Sequence, residues 1–177
     1  MIINLQPLRL KDEPLEVDAL FSESQLTVSG PLLRLDGPVH AHLFVRMSGD
    51  AARVRGNIEG EVTITCCRCA GLFPKKVEKD FSVEYWPDPH VGDSEEIELT
   101  YADLETGFCR NDELDLSAVV SEQIVLDVPM KPVCRDSCRG LCERCGADLN
   151  DGDCGCDRTT VDPRLATLAE WKLKHGK

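Results

Sequence analysis

Residues Arg53–Trp86, RVRGNIEGEVTITCCRCAGLFPKKVEKDFSVEYW, alternate apolar and polar side chains, stop at a cysteine-rich turn, and then alternate again. Successive side chains of an extended strand point to opposite faces, so this period of two predicts a strand with one buried face. Val54, Ile58, Val62 and Ile64 share one face; Arg53, Arg55, Asn57, Glu59, Glu61 and Thr63 share the other. Gly56 and Gly60 fall on the apolar side, which predicts a bulge or a close approach by a neighbour. After CCRCAGLFP the alternation resumes through Val77, Lys79, Phe81, Val83 and Tyr85, so the two strands pair as an antiparallel hairpin. Its tip carries Cys66, Cys67 and Cys69, and Lys79 interrupts the apolar series as an edge or twisted strand would.

Outward from the hairpin, Val39–Met47 carries a partial alternation and reads as a further strand. PDPHVGDSEE reads as a loop and IELTYADLE as another short strand. Asp115 or Ser117 caps a helix running to about Leu126, with Leu116, Val119, Val120, Gln123 and Ile124 at helical spacing; Pro129 and Pro132 end it. Asp162 and Pro163 suit the N-cap and first residue of a C-terminal helix whose apolar face is Leu165, Leu168, Ala169 and Trp171, and whose basic end, KLKHGK, suits the helix dipole. The fold class is therefore α+β. An antiparallel β-rich core over residues 1–128, with one helix near its end, precedes a cysteine-rich zinc-binding module and C-terminal helix over 129–177.

The chain of 177 residues, 42% hydrophobic and 29% charged, accommodates one ordinary domain with an appended module and excludes two large enzymatic domains. The start MIINLQPLRLKDEPLEVDAL lacks a basic region followed by an apolar core, and no apolar run spans a bilayer. A soluble bacterial cytoplasmic protein, without a membrane partner, is the expectation. A net charge of −12 excludes a protein that coats nucleic acid nonspecifically.

Ten cysteines in a reducing compartment point to metal ligation or redox chemistry rather than disulfides. Six lie between Cys134 and Cys156, as CxxxC (Cys134, Cys138), CxxC (Cys142, Cys145) and CxC (Cys154, Cys156). A CxxC turn followed by Gly146 aims two sulfurs at one point while backbone N–H groups donate to them. Tetrahedral zinc needs four ligands, so either Cys134 with Cys138 or Cys154 with Cys156 completes that set, and Cys66 with Cys69 raises the total to the eight that two sites require. Between Pro132 and Asp162 the apolar residues other than cysteine are Val133, Leu141, Ala147, Leu149 and Val161, too few to close a core, so structural zinc supplies the folding energy. Cys67 and Cys109 read as small buried apolar residues.

The rest of the chemistry is sparse. His40, His42, His90 and His175 show no paired-ligand spacing, and GxSxG, P-loop and GxGxxG motifs are absent. An all-cysteine shell is closed, whereas catalytic zinc keeps an open position, so the reading is not an enzyme. Lys131, Arg135, Arg139, Arg144 and Arg158 surround the cysteines as a candidate phosphate-binding face, but acidic residues are interleaved with them. Arg53 and Arg55 with Arg68, Lys75, Lys76 and Lys79 near the hairpin are a second candidate.

The mid-chain CxRC (Cys66, Arg68, Cys69), a helix ending in Pro, then CxxxCxGLCxxCGxxLNxxxCxC and DPR together resemble the YceD family, named for large ribosomal RNA subunit accumulation. The matching positions are Cys134, Cys138, Gly140, Leu141, Cys142, Cys145, Gly146, Leu149, Asn150, Cys154, Cys156, Asp162, Pro163 and Arg164. Glu143 departs from the Pro that many relatives have there. The resemblance implies a non-enzymatic role in large-subunit ribosome biogenesis, supporting rRNA accumulation or processing by binding precursor rRNA or a basic ribosomal protein. Two alternatives remain beside it: a thiol redox or redox-sensing protein using Cys66 and Cys69, and a generic zinc-stabilised protein-interaction module. The residues set neither the ligand set nor the oligomeric state.

Overall fold

A computed structural model describes residues 1–11, 13–28, 30, 32–88, 106–157, 164 and 166–175. In chain order the strands are β1 (Ile2–Asn4), β2 (Leu15–Phe21), β3 (Leu33–Leu35), β4 (Val39–Ser48), β5 (Ala51–Thr65), β6 (Leu72–Pro87), β7 (Thr106–Cys109) and β8 (Glu113–Asp115). Two helices follow, α1 (Leu116–Asp127) and α2 (Ala166–His175). By contacts the chain divides into two compact units: Met1–Thr65 with Leu72–Pro132, and Cys66–Gly71 with Val133–Lys177. A linear boundary at 128/129 does not capture this division, because the hairpin tip clusters with the cysteine-rich segment.

In the first unit the alternating stretch becomes the long hairpin β5–β6, in unbroken antiparallel register from Ala52↔Tyr85 to Thr65↔Leu72. β4 flanks β5 on its other side, β2 flanks β4, and β3 takes over beside β5 at Leu33↔Ile64. β1 and β8 form a separate two-stranded sheet. The expected core face is buried: Val54, Ile58, Val62, Ile64 and Val77 join Leu43, Val45 and Phe21 in one cluster. Each such aliphatic side chain contributes about 1.5–3 kcal/mol relative to exposure.

Gly56 and Gly60 mark close approach and not a bulge, since the β5–β6 register runs through both and the β4–β5 register runs through Gly56 and ends at His40↔Glu59. A Cβ on Gly56 would stand 2.4 Å from the His42 carbonyl oxygen, and one on Gly60 3.0 Å from the Val39 Cγ2. Lys79 lies on the core face opposite Ile58, in a part of β6 that among the described residues pairs with β5 alone.

The sheet is mixed, a correction to the antiparallel expectation. β7 runs parallel to β6 at Glu84↔Thr106 through Pro87↔Cys109, and the stretch joining them is long enough for the crossover that parallel pairing requires. The short strand expected over Ile97–Glu105 lies outside the described residues.

Helix α1 begins where expected, with Asp115 accepting a hydrogen bond from the Ser117 N–H at 3.0 Å. The N-terminal ammonium donates to the same carboxylate at 3.0 Å. Leu116, Val119, Val120, Gln123 and Ile124 are all buried, so α1 covers the core face of the sheet unit. In the second unit the Asp162–Pro163 cap and Leu165 lie outside the described residues. Trp171 on α2 is exposed, its ring 5.1 Å from that of His175.

Candidate metal centres in the cysteine-rich unit

Eight cysteines converge in two sets of four, Cys66, Cys69, Cys134 and Cys138, and Cys142, Cys145, Cys154 and Cys156; within each set the sulfurs lie within 4.8 Å of one another. The six clustered cysteines therefore do not compete for one shell. CxxxC joins the hairpin tip, and CxxC joins CxC. Either set could hold a metal ion. The sulfur separations fit one: Cys66 to Cys138 and Cys69 to Cys134 are both 3.9 Å. A tetrahedron with Zn–S bonds of about 2.3 Å has edges of about 3.8 Å.

Both sets are built on the same turn. Cys66 N–H donates to the Gly71 carbonyl at 2.8 Å and accepts from Ala70 N–H on its own carbonyl at 2.9 Å. Cys142 repeats this with Ala147 at 2.8 Å and Gly146 at 2.9 Å. The fifth residue of each turn is left-handed, Ala70 at φ +57° and Gly146 at φ +73°. CCRCAG and CERCGA share Cys, Arg and Cys at matching places, a repeat that the sequence itself carries.

Backbone donation, lost hydration and the neighbouring sulfurs together set these thiols apart. At Cys66, backbone N–H donation, first from Cys69 and then from Cys134 and Arg68, outweighs lost hydration and lowers the thiol to about 6. Cys142 falls likewise to about 6, through the N–H groups of Cys145 and Arg144. At Cys138 lost hydration is outweighed by Asn150 and the Gly140 N–H, and the thiol is lowered. At Cys69 the Gly71 N–H favours the thiolate, but lost hydration and the adjacent sulfurs prevail and the thiol is raised. Lost hydration and then the adjacent sulfurs push Cys134 up to about 12. Cys156 reaches about 12 beside Cys145 and Cys154. Four sulfurs this close cannot all ionise without a cation between them.

Around the first set, the Arg68 guanidinium donates to the carbonyls of Asp136 at 3.0 Å and Cys138 at 3.1 Å. The Leu141 N–H donates to the Arg68 carbonyl at 3.0 Å, close to Gly140, where a Cβ would stand 2.9 Å from that oxygen. Asn150 donates from Nδ2 to Cys138 Sγ at 3.5 Å and accepts the Arg139 N–H at 2.9 Å. Leu149, Cys138 and Cys142 are buried while Leu141 is exposed, so sulfur supplies much of this unit's interior.

Cys109 is buried as expected. Cys67 is exposed, a correction: the turn that points Cys66 and Cys69 inward leaves the residue between them facing water.

The basic residues separate. Arg53 pairs with Glu84, its Nε donating at 2.8 Å, and Lys75 pairs with Asp127. Arg55 lies opposite Ser82 while Lys75 lies opposite Val62, seven positions along β5, about 23 Å away and on the other face of the sheet. The expected hairpin patch is thus not one surface. Arg55, Lys76, Lys131, Arg135, Arg139 and Arg144 are exposed and form no ion pair among the described residues; Arg158 lies outside those residues. The sheet unit has eleven Lys and Arg against twenty-four Asp and Glu, and the cysteine-rich unit nine against eight.

Among the described residues no helix is long and apolar enough to cross a membrane. Residues 54–172 match the sequence profile of the family described as large ribosomal RNA subunit accumulation protein YceD. An uncharacterised protein of Mycobacterium tuberculosis is 31% identical over 141 residues, covering 80% of this chain and 62% of that protein. The chloroplastic YCED homolog 1 proteins, also named for large ribosomal RNA subunit accumulation, are 24% identical in Arabidopsis thaliana and 26% in Zea mays. They cover 74% and 70% of this chain, which spans about half of their length, 47% and 50%. No solved structure matches the chain.

Proposed function

The chain belongs to the YceD family, and on that premise we propose that it is a non-enzymatic factor in large-subunit ribosome biogenesis, held in shape by two structural zinc ions. It supports accumulation of the large-subunit rRNA by binding the precursor rRNA or a ribosomal protein, in the cytoplasm. The observation that carries this reading is the gathering of eight cysteines into two four-sulfur sets on matching turns. Four thiolates close a zinc shell and leave no position for substrate or an activated water, which favours a scaffold over a catalyst. Zinc is the metal that such an all-sulfur, tetrahedral set suits in a reducing compartment.

The test is crosslinking in cells, followed by identification of the attached molecule, with zinc measured on the purified protein. Large-subunit precursor rRNA or a ribosomal protein, with about two zinc ions per chain, is the expected result. A metal-free folded protein that never sediments with precursor particles overturns it.

One observation favours a second reading. The lowered thiol of Cys66, at about 6, is what a redox role for Cys66 and Cys69 would use. Cys66 is, however, only 2% exposed. A reversible Cys66–Cys69 disulfide in the zinc-containing protein would support that role; thiols that stay reduced in mild oxidant would remove it.

A further inference from the structure

On the solvent face of the sheet unit the strand register brings together Phe44 and Arg46 of β4 with Arg53 and Arg55 of β5. Phe44 stands directly opposite Arg55, and Arg46 directly opposite Arg53. Phe44 is 37% exposed although every second residue beside it on β4, Leu43 and Val45, is completely buried. Its ring meets that of His42 edge-on, with centroids 4.7 Å apart. Arg53 is neutralised by Glu84, but Arg46 and Arg55 have no ion-pair partner among the described residues.

Two features of this arrangement work against the isolated fold. Arg46 faces a second guanidinium across the strand pair, a like-charge contact that Glu84 offsets only from the far side of Arg53, and a phenyl ring 37% exposed leaves apolar surface in water. Both are relieved by an anionic ligand that offers a flat ring. Single-stranded RNA does so: its bases stack on aromatic side chains and its phosphates meet arginine.

We infer that the solvent face of β4 and β5 at Phe44, Arg46 and Arg55 is a binding surface for single-stranded RNA, with a base stacked on Phe44 and phosphates on the two arginines that lack an acidic partner among the described residues. The inference rests on the ribosome-biogenesis reading and places its RNA contact on the sheet instead of beside the cysteines. The acidic balance of the unit limits the contact in extent. At the arginine end Glu16 stands opposite Phe44 and is occupied by His42 at 2.8 Å, as Glu84 is by Arg53. Further along the same face Asp18 and Asp80 flank His42 and Asn57, and Glu59 lies opposite Glu78, so phosphates are repelled there. The strand therefore occupies the arginine end of the face and covers only a few nucleotides.

The test uses the full-length, zinc-containing protein and a fluorescein-labelled fifteen-nucleotide single-stranded RNA of mixed sequence, read by anisotropy across a salt series. Phe44→Ala is expected to weaken binding by about 5- to 150-fold, the range for loss of one base–aromatic stack. Arg46→Ala or Arg55→Ala is expected to reduce the slope of log affinity on log salt by about 0.7 each. All three side chains are exposed, and far-ultraviolet circular dichroism checks that the variants fold. Lys76→Ala and Arg144→Ala are expected to bind like the parent.

No RNA binding at low salt, binding lost only in Lys76→Ala or Arg144→Ala, or capture of an arginine-rich peptide in place of RNA would each overturn the inference. Cells separate its failure from failure of the wider reading. If deleting the gene lowers large-subunit rRNA and the Phe44→Ala/Arg55→Ala double variant restores it fully, the family role stands and this surface falls. If deletion leaves rRNA unchanged, the wider reading falls, and RNA binding by the sheet is decided by the anisotropy series.

Discussion

The sulfurs of Cys66 and Cys138 stand 3.9 Å apart although 72 positions separate the residues in the chain. A contact between such distant thiols is costly to form by chance, because closing so long a loop removes chain entropy; a metal ion bonding both recovers it. The pairing predicts a definite partition of zinc. The parent should hold about two ions per chain. Cys66→Ser and Cys134→Ser should each retain one, and the double variant should lose no more than either alone. Elemental analysis after gel filtration reads this directly. Loss of both ions in Cys66→Ser would show that the second set, Cys142, Cys145, Cys154 and Cys156, does not stand by itself.

The charge state of the first set predicts the pH dependence of zinc uptake. Near pH 7.5 Cys66, lowered to about 6, is already a thiolate, whereas Cys134, pushed up to about 12, and the raised Cys69 carry protons. Zinc takes only thiolates, so both of those protons leave on binding and acid competes with the metal. Affinity at this site should rise with pH, at least about a hundredfold per unit around neutrality. Calorimetry of the Cys142→Ser variant, in buffers of different ionisation enthalpy, should count two or more protons released. Fewer than one would contradict the charge pattern.

How far these features could be read in advance depended on the range of the interaction. The β5–β6 hairpin was legible because its buried face repeats every second residue, and the α1 cap because Asp115 acts on Ser117 two positions away. β2 has the same alternation, in Leu15, Val17, Ala19 and Phe21, whereas β1 is too short to carry a period. The partnership of Cys66 and Cys69 with Cys134 and Cys138 depends on a return of the chain that no spacing encodes. Sequence proximity misled for Arg55 and Lys75, which the register separates along β5 and the pleat puts on opposite faces.

Asn150 should tune the first metal site without being a ligand. Its Nδ2 donates to Cys138 Sγ while its Oδ1 accepts the Arg139 N–H, which ties the thiolate to the turn after it. Groups that orient a ligand in this way are worth about 10- to 100-fold in metal affinity. Asn150→Asp keeps the acceptor and loses the donor, and it adds a negative charge beside sulfur. It should lower zinc affinity at least as much as Asn150→Ala, measured by competition with a chromogenic chelator. Unchanged affinity in both variants would reduce Asn150 to a surface residue.

The two matched turns offer a reciprocal pair of substitutions. Ala70 holds φ +57°, where a side chain costs about 1–2 kcal/mol, and Gly146 holds the equivalent place at φ +73° at no such cost. Ala70→Gly should therefore stabilise the zinc-containing protein by about 0.5–1 kcal/mol, after allowing for the greater freedom of glycine in the unfolded chain. Gly146→Ala should cost a similar amount, and nothing lies within 4 Å of its added Cβ to enlarge the effect. Urea unfolding with zinc present would compare them. Shifts of the same sign in both variants would show that the two turns are not equivalent.

Gly56 and Gly60 test the sheet in a different way, because both are extended and only space decides. An alanine Cβ at Gly56 would meet a backbone atom, the His42 carbonyl oxygen at 2.4 Å, and also the Leu43 side chain at 2.7 Å. The β4–β5 ladder holds that carbonyl in place, so the strands must part to admit the methyl group. Gly56→Ala should destabilise by about 1–3 kcal/mol, the usual cost of overfilling a well-packed interior. At Gly60 the nearest atom is the Val39 Cγ2 at 3.0 Å, a side-chain methyl that can shift by a few tenths of an ångström. Gly60→Ala should therefore cost less than Gly56→Ala, with the zinc content of both variants unchanged. The order of their urea midpoints checks this: a Gly60→Ala protein less stable than Gly56→Ala would mean that β4 yields more easily at His42, inside the β4–β5 ladder, than at Val39, just beyond the end of that ladder at His40↔Glu59.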